Sequence, residues 1–427
     1  MNQKADWNSL SLKDLTIFIK DGTHGTHQDV DGGVPLLSAK DVHNNSLEIP
    51  DNCRRISEIE YQLIHKNYDI AKDDILLTVV GSIGRCYLVS SSESRFTLQR
   101  SVAIIRPNHI EPRYLYHYFC SAPFQQDLQD FTNASAQGGV YLGSLAKCFI
   151  NFPISREEQL KIAAVLSTID LTIAQTEAII TKQQRIKTGL MQDLLTKGID
   201  ENGNIRSEET HEFKDSPLGR IPVEWEVKEL RDTGAWLSGG TPSKSEETYW
   251  GSPIPWVSSK DMKVFDLENT LEMITKKGAL AGSKVVPKGS ILIIVRGMIL
   301  AHTFPVAYLA RDMAFNQDIK AIIPNDNICG RYLAYWFLAN SSNLLRLTTT
   351  ATHGTKRLDT NELLEFSLSL PSKIEQNQII LLLDKLQYDI EISKEYLKKL
   401  IAKKTGLMQD LLTGKVRVTE LLEDIDR

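Results

Sequence analysis

Residues Lys187 to Thr196 read KTGLMQDLLT, and Lys404 to Thr413 read KTGLMQDLLT again, ten identities at an offset of 217 residues. A period this long is not that of a solenoid, whose units run to about 20–50 residues. Half of the chain has been doubled, and each half is to be read against the other. Carried backwards, the offset joins two amphipathic segments. Ile162, Leu166, Ile169, Ile173, Thr176, Ile180, Gln183, Lys187, Leu190 and Leu194 step by four and three, the seam of a coiled coil. The second copy keeps register with Ile379, Leu383, Leu386, Ile390, Ser393, Leu397, Leu400, Lys404, Leu407 and Leu411. A small hydroxyl falls mid-seam in both copies (Thr176, Ser393) and a lysine near the end of both. One helix over Glu157–Thr196 would reach about 60 Å at 1.5 Å per residue, longer than a small globule is wide. Such a helix needs a partner for its seam, and its own duplicate offers one.

The rest of the 427 residues suffices for two or three domains with proper cores. Apolar residues at 42% and charged residues at 24% describe an ordinary soluble chain. The apolar run Ile291–Val295 is far too short for a bilayer, and Met1 to Asp14 is polar and contains acids, so neither a membrane span nor a secretory leader is expected. Cys53, Cys86, Cys120, Cys148 and Cys329 are scattered without CxxC or Cys/His spacing, which reads as reduced thiols, no zinc and a cytoplasmic protein. A net charge of -5 confines any nucleic-acid surface to a local patch.

In order, residues 1–154 form a first α+β globule. Strands are expected at Ile75–Val80, Cys86–Val89 and Val102–Arg106, and helices near Pro112–Cys120 and Pro123–Phe131. Ser155 then caps the first long helix, 155–197, with Glu158 completing a capping box. Residues 198–224 are polar, aperiodic and Gly/Pro-bearing, a linker. A second globule, 225–372, repeats landmarks of the first: Trp7 with Trp225, Leu36–Asp41 with Trp256–Asp261, Ile75-Leu76 with Ile291-Leu292, and Tyr114-Leu115 with Tyr332-Leu333. The second helix, 373–413, and a tail, 414–427, complete the chain. The expected architecture is two similar α/β globules joined by two long antiparallel helices in a coiled coil, with a pseudo-two-fold axis near Thr176 and Ser393.

The patterns GxxxxGK[ST], GxSxG, HExxH and a strand-following GxGxxG are absent. His24 and His27 lie three apart in a Gly-rich loop with no third ligand, and read as solvated histidines. No catalytic, cofactor or metal residue is therefore assigned. What remains are paired polar loops suited to holding a phosphate backbone and reading base edges. In the first globule the candidates are Thr23, His24, Lys40, Arg85, Gln99, Arg100, Gln137 and Tyr141. In the second they are Thr241, Lys244, Lys260, Arg296, Gln317, His353, Lys356 and Arg357. Gly239-Gly240 adds backbone N–H groups to the second set, while Asn316 reads equally as a buried turn.

Two variable globules, each followed by a helix ending in KTGLMQDLLT, with PLGRIPVEW opening the second unit, resemble the DNA-specificity subunit of Type I restriction-modification systems over essentially the whole chain. The resemblance implies two target recognition domains, each reading half of an asymmetric bipartite site in double-stranded DNA, with the helices as spacer. It implies a non-catalytic chain docked by two modification (methyltransferase) subunits that carry S-adenosylmethionine. Restriction subunits join in that family, with ATP and Mg. The short lead before Trp7, against the long segment before Trp225, suggests that the C-terminal GKVRVTELLEDIDR lies on the first globule. The alternative is a coiled-coil adaptor with two heads for ligands other than DNA.

Overall fold

The computed structural model describes residues 6–90, 95–133, 138–350 and 355–418. The chain separates into two compact units, Met1–Glu177 with Glu395–Arg427, and Ala178–Lys394. Both divisions fall inside a long helix, at positions 217 apart, so each unit takes part of each helix.

In unit 1 an antiparallel sheet runs in the order Thr16–Asp21, Val102–Pro107, Ile75–Thr78, Cys86–Leu88. Side chains alternate across a strand, and the two central runs, Ile75–Leu77 and Val102–Ile105, are covered on both faces, which is why they are apolar throughout. Ile75, Leu77, Ala103 and Ile105 pack on one side with Tyr114, Leu115 and Phe119 of the helix Pro112–Phe119. Leu76, Val102 and Ile104 pack on the other with Leu37, Phe96 and Leu98. A smaller sheet joins Val34–Leu37 to Arg55–Ile56 and, in parallel, to Thr97–Leu98. Trp7–Ser11 pairs antiparallel with Phe149–Pro153, drawing both ends of the globule together and delivering the chain to the long helix.

Unit 2 repeats the plan. Its main sheet runs Gly234–Ser238, Ile319–Pro324, Ile291–Ile294, Val306–Leu309, Asp266–Leu267, the last pair parallel. Trp250–Val257 pairs in parallel with Met313–Phe315, and Glu226–Glu229 closes against Ser367–Leu370. The helix Gly330–Ala339 takes the place of Pro112–Phe119.

The first long helix spans Arg156–Thr196 and the second Lys373–Leu411. Every seam position is buried or half-buried. In unit 1, Ile162, Leu166, Ile169 and Thr176 are buried and Ile173 half-buried; Leu400 and Leu411 are buried and Leu397 half-buried. In unit 2, Ile180, Leu194, Ile379, Leu383 and Ile390 are buried, with Leu386 and Ser393 half-buried. By length and composition alone the first helix could cross a membrane, with a mean hydropathy of 1.3 in its most apolar window. Its seam side chains are buried or half-buried, while apolar residues off the seam, Leu171 and Ile179 among them, are exposed.

The capping box is only half formed. Ser155 Oγ accepts from the Glu158 N–H at 3.3 Å, but the Glu158 carboxylate takes two bonds of 2.7 Å from Arg417 instead of returning to the cap. A bidentate pair with a guanidinium outweighs a single bond from a backbone N–H. Ser372 and Glu375 repeat this in unit 2, where Arg206 holds the carboxylate at 2.5 and 3.3 Å. Arg206 belongs to the stretch expected as a plain linker. That stretch carries a hairpin, Phe213–Ser216 with Gly219–Pro222, and buries Ile199 and Ile221. In unit 1 the tail behaves alike: Gly414 packs against the Trp7 ring and Val418 is buried in the core.

Candidate nucleic-acid interface

Five loops of unit 1 close together at one end of the main-sheet strands, making one edge of the unit, through backbone bonds. The Thr23 N–H donates to Leu98 O at 2.7 Å, Gln99 to Leu37 O at 2.8 Å, Val79 to Ser101 O at 2.9 Å, and Val140 to Val79 O at 2.8 Å. Unit 2 makes the same four. Gly240 donates to Phe315 O at 2.9 Å, Asn316 to Val257 O at 3.0 Å, Val295 to Asp318 O at 2.9 Å, and Leu358 to Val295 O at 2.9 Å. Each residue lies 216–220 positions after its counterpart. The glycines serve this closeness. A Cβ on Gly22 would stand 2.1 Å from Leu98 O, and one on Gly239 2.3 Å from Phe315 O, so only glycine fits. The Gly240 N–H, expected to be free for a phosphate, is consumed by Phe315.

Most of the candidate side chains gather on these loops. In both SxKD turns the aspartate closes the loop and leaves the lysine outside: Asp41 accepts from the Ser38 N–H and Oγ at 2.8 and 3.0 Å, and Asp261 from those of Ser258 at 2.9 and 2.8 Å. Lys40 and Lys260 are exposed. Arg296 and Arg357 face each other on an antiparallel bridge, both exposed, and Lys356 donates to Thr350 Oγ1 at 2.9 Å. Gln99 lies on a parallel bridge to Thr23, and the Arg100 N–H donates to Thr23 O at 3.1 Å. Arg85 is half-buried at the neighbouring turn, where its N–H donates to Thr78 Oγ1 at 2.9 Å, and Tyr141 is 54% exposed. Among the described residues, Lys40, Arg100, Lys260, Arg296 and Arg357 hold no side-chain hydrogen bond or ion pair.

Other candidates are already engaged. Lys244 pairs with Glu272 at 2.8 Å and sits 4.6 Å over the Trp250 ring. Thr241 Oγ1 donates to Gln317 Oε1 at 2.5 Å, and His24 meets Asp21 at 2.7 Å. Asn316 is a buried turn residue whose Oδ1 accepts from the Asp318 N–H at 3.1 Å. Gln137 and His353 lie outside the described residues.

His27 is not a solvated histidine. Its side chain is 11% exposed, with Nε2 2.8 Å from Thr23 Oγ1 and Nδ1 3.1 Å from Glu60 Oε1. That bond from His27 is the main reason Glu60 titrates below the usual carboxylate range; burial opposes it and the bonds from Ser57 add to it. Glu60 caps a short helix, Glu58–Ile64, through a full capping box with Ser57. The Ser57/Glu60 spacing was readable in the sequence; its link to a loop 33 residues earlier was not. Among the described residues no group of three or more His, Cys, Asp or Glu could hold a metal ion.

The model of the Type I restriction modification DNA specificity domain matches this chain twice, at residues 4–185 and 222–402. The chain belongs to that family. Each match takes in one globule and most of the helix that follows it. Among curated relatives, the chain is 33% identical to the Escherichia coli Type I restriction enzyme EcoR124I/EcoR124II specificity subunit over 45% of this chain and 48% of that protein. It is 24% identical to a putative type I restriction enzyme MjaX specificity subunit of Methanocaldococcus jannaschii over 97% of this chain and 94% of that one. The chain spans about half the length of the curated relatives it matches at 30% identity or more. The crystal structure of a Type-I restriction-modification system S subunit from M. genitalium superposes with a TM-score of 0.57 at 14% identity, covering 96% of this chain and 97% of that one. A chain from a study of complex assembly and conformational transition in the type I R-M system also gives 0.57, at 17% identity over 96% and 98%. These likenesses bear on the fold, a two-domain repeat of mixed helix and strand.

Proposed function

We propose that this chain is the DNA sequence-recognition subunit of a Type I restriction-modification complex. Each unit reads one half of an asymmetric bipartite site with the loop edge described above. The observation that carries this is the doubled frame: identical backbone bonds in both units, carrying different side chains, with uncommitted cations at matched turns. Lysines and arginines there supply sequence-independent phosphate contacts, while Gln99, Arg100, Gln317, Arg296 and Arg357 have the geometry for base edges. Thr23, His24, Thr241, Lys356 and Tyr141 complete the set.

In this reading the two long helices form an antiparallel pair and set the spacing between the halves. Lys404 pairs with Asp170 at 2.5 Å in unit 1, and Lys187 donates to Gln387 at 2.6 Å in unit 2. The residue numbers of each pair add to 574, as one antiparallel register requires. The chain is non-catalytic. Two modification subunits dock on it and bring S-adenosylmethionine; where restriction subunits join, they bring ATP and Mg; the complex is cytoplasmic. Exposed apolar residues away from the seam, among them Leu171, Ile179, Leu381, Tyr388, Ile392 and Tyr396, suit docking of such partners.

The test is methylation mapping of DNA from cells carrying this chain with its modification subunit. One asymmetric bipartite motif with an unread gap is the expected result. Methylation without a motif, or binding that does not weaken as salt rises, would favour heads for another ligand.

A further inference from the structure

We infer that Thr23 reads the exocyclic amino group of an adenine or cytosine, its hydroxyl held as a hydrogen-bond acceptor by His27 and Glu60. The inference rests on the proposal that unit 1 reads DNA, and assigns a chemical polarity to one of its contacts.

The geometry leaves one arrangement of hydrogens when the imidazole is neutral. An ionised carboxylate only accepts, so Glu60 Oε1, 3.1 Å from Nδ1, requires the ring proton there. Nε2 then carries the lone pair. Thr23 Oγ1, 2.8 Å away, must give its single hydrogen to it. The oxygen keeps two lone pairs. One faces the Gly25 N–H at a long 3.4 Å, which leaves the other to accept from outside.

The loop cannot easily rotate away from this. Thr23 is bonded by backbone on both sides, to Leu98 O at 2.7 Å and from Arg100 N at 3.1 Å. His27 O accepts from Arg54 Nη2 at 2.5 Å, and Asp29 Oδ1 from the Arg55 N–H at 2.8 Å. Thr23 itself is half-exposed on the edge where Gln99 and Arg100 stand. In the major groove the donors are adenine N6 and cytosine N4, whereas guanine O6 and thymine O4 are acceptors. A hydroxyl fixed as acceptor is drawn to the first pair and repelled by the second. A free threonine hydroxyl, able to donate or accept, would not discriminate. His27 and Glu60 are thus positioning residues for Thr23. Thr241, whose hydroxyl is given to Gln317, has no such histidine among the described residues and makes a different surface.

The experiment uses the whole chain with its modification subunits and duplexes of the mapped motif. Each adenine or cytosine of the unit 1 half is replaced singly by an analogue without the amine, purine or 2-pyrimidinone. The wild type is expected to lose about five- to ten-fold in affinity at one position, the worth of one hydrogen bond. Thr23→Val should abolish that penalty at that position alone, Thr23→Ser should restore it, and His27→Ala should reduce it there without touching other positions. Penalties in Thr23→Val that match the wild type at every position would overturn the inference. Should Thr23→Val fold poorly, as read by circular dichroism, the His27→Ala series decides by the same criterion. Wild-type complex that binds no duplex specifically is a separate result, which defeats the DNA-reading proposal itself.

Discussion

At the start of each long helix a buried glutamate is held by an arginine from the segment that follows the other long helix, Glu158 by Arg417 in unit 1 and Glu375 by Arg206 in unit 2. Glu375 does more. It also accepts from the Ile199 N–H at 2.9 Å and the Trp225 indole at 3.1 Å, while the Trp7 indole N–H of unit 1 has no partner among the described residues. The same division runs through both units: the backbone frame is common, and the side chains that finish it differ. The comparison separates what the duplication must keep from what each unit is free to change. Removing one member of a buried pair costs about 3–5 kcal/mol. Glu375→Ala is therefore expected near the top of that range and Glu158→Ala near the bottom, measured by denaturant titration with hydrogen exchange to separate the units. Equal losses would break the comparison.

A second contrast lies where each globule meets the helices. In unit 1 His117, 1% exposed, bonds Ser167 Oγ at 2.9 Å and stands near the Asp170–Lys404 pair. Burial, with a smaller push from Lys404, lowers its pKa to about 3. In unit 2 the matching place holds Tyr335, whose hydroxyl donates to Asp384 at 2.5 Å, and Arg331, which pairs with Asp384 and Asp266. Burial alone would lower the Arg331 pKa, but the two carboxylates raise it, so it stays charged. A base whose pKa falls on folding stabilises fully above its unfolded value, about 6.5, and loses that contribution as pH drops towards 3. His117 should therefore cost unit 1 about 2 kcal/mol between pH 7 and pH 5. His65, also lowered by burial, acts in the same direction. His117→Gln should remove the larger part of the slope from unit 1 and leave unit 2 unchanged. An unaltered slope would contradict the assignment.

The smallest contrast concerns two lysines of the same unit. Lys260 is exposed and unpaired among the described residues, whereas Lys244 is already tied to Glu272. Lys260→Ala should lower the slope of log affinity against log salt by about one, as for a lost phosphate contact. Lys244→Ala should change it less. The reverse order would mean that the edge faces DNA differently.

The long helices and the duplication were legible because periodicity repeats a weak signal many times over, and every seam position is at least half-buried. The central strands were legible because both of their faces are covered, which leaves continuous apolar runs. The edge was legible only as composition. Whether Lys244 or Lys260 stays free depends on Glu272, and the need for Gly22 and Gly239 comes from carbonyls of Leu98 and Phe315. The Glu158–Arg417 pair spans 259 residues and replaces a capping box that local spacing favoured. The His27–Glu60 bond joins a loop to a short helix with no shared period, so the histidine read as solvated.

Both divisions between the units fall within the helices, which makes spacing the property to perturb. Deleting seven residues symmetrically, 175–181 and 392–398, preserves the 574 register and shortens each helix by about 10 Å. Methylation mapping of the variant complex is the most direct test. Unchanged half-sites with a gap about three base pairs shorter, or loss of methylation at the original gap, are the results expected of a helical spacer. An unaltered motif with its original gap would contradict it.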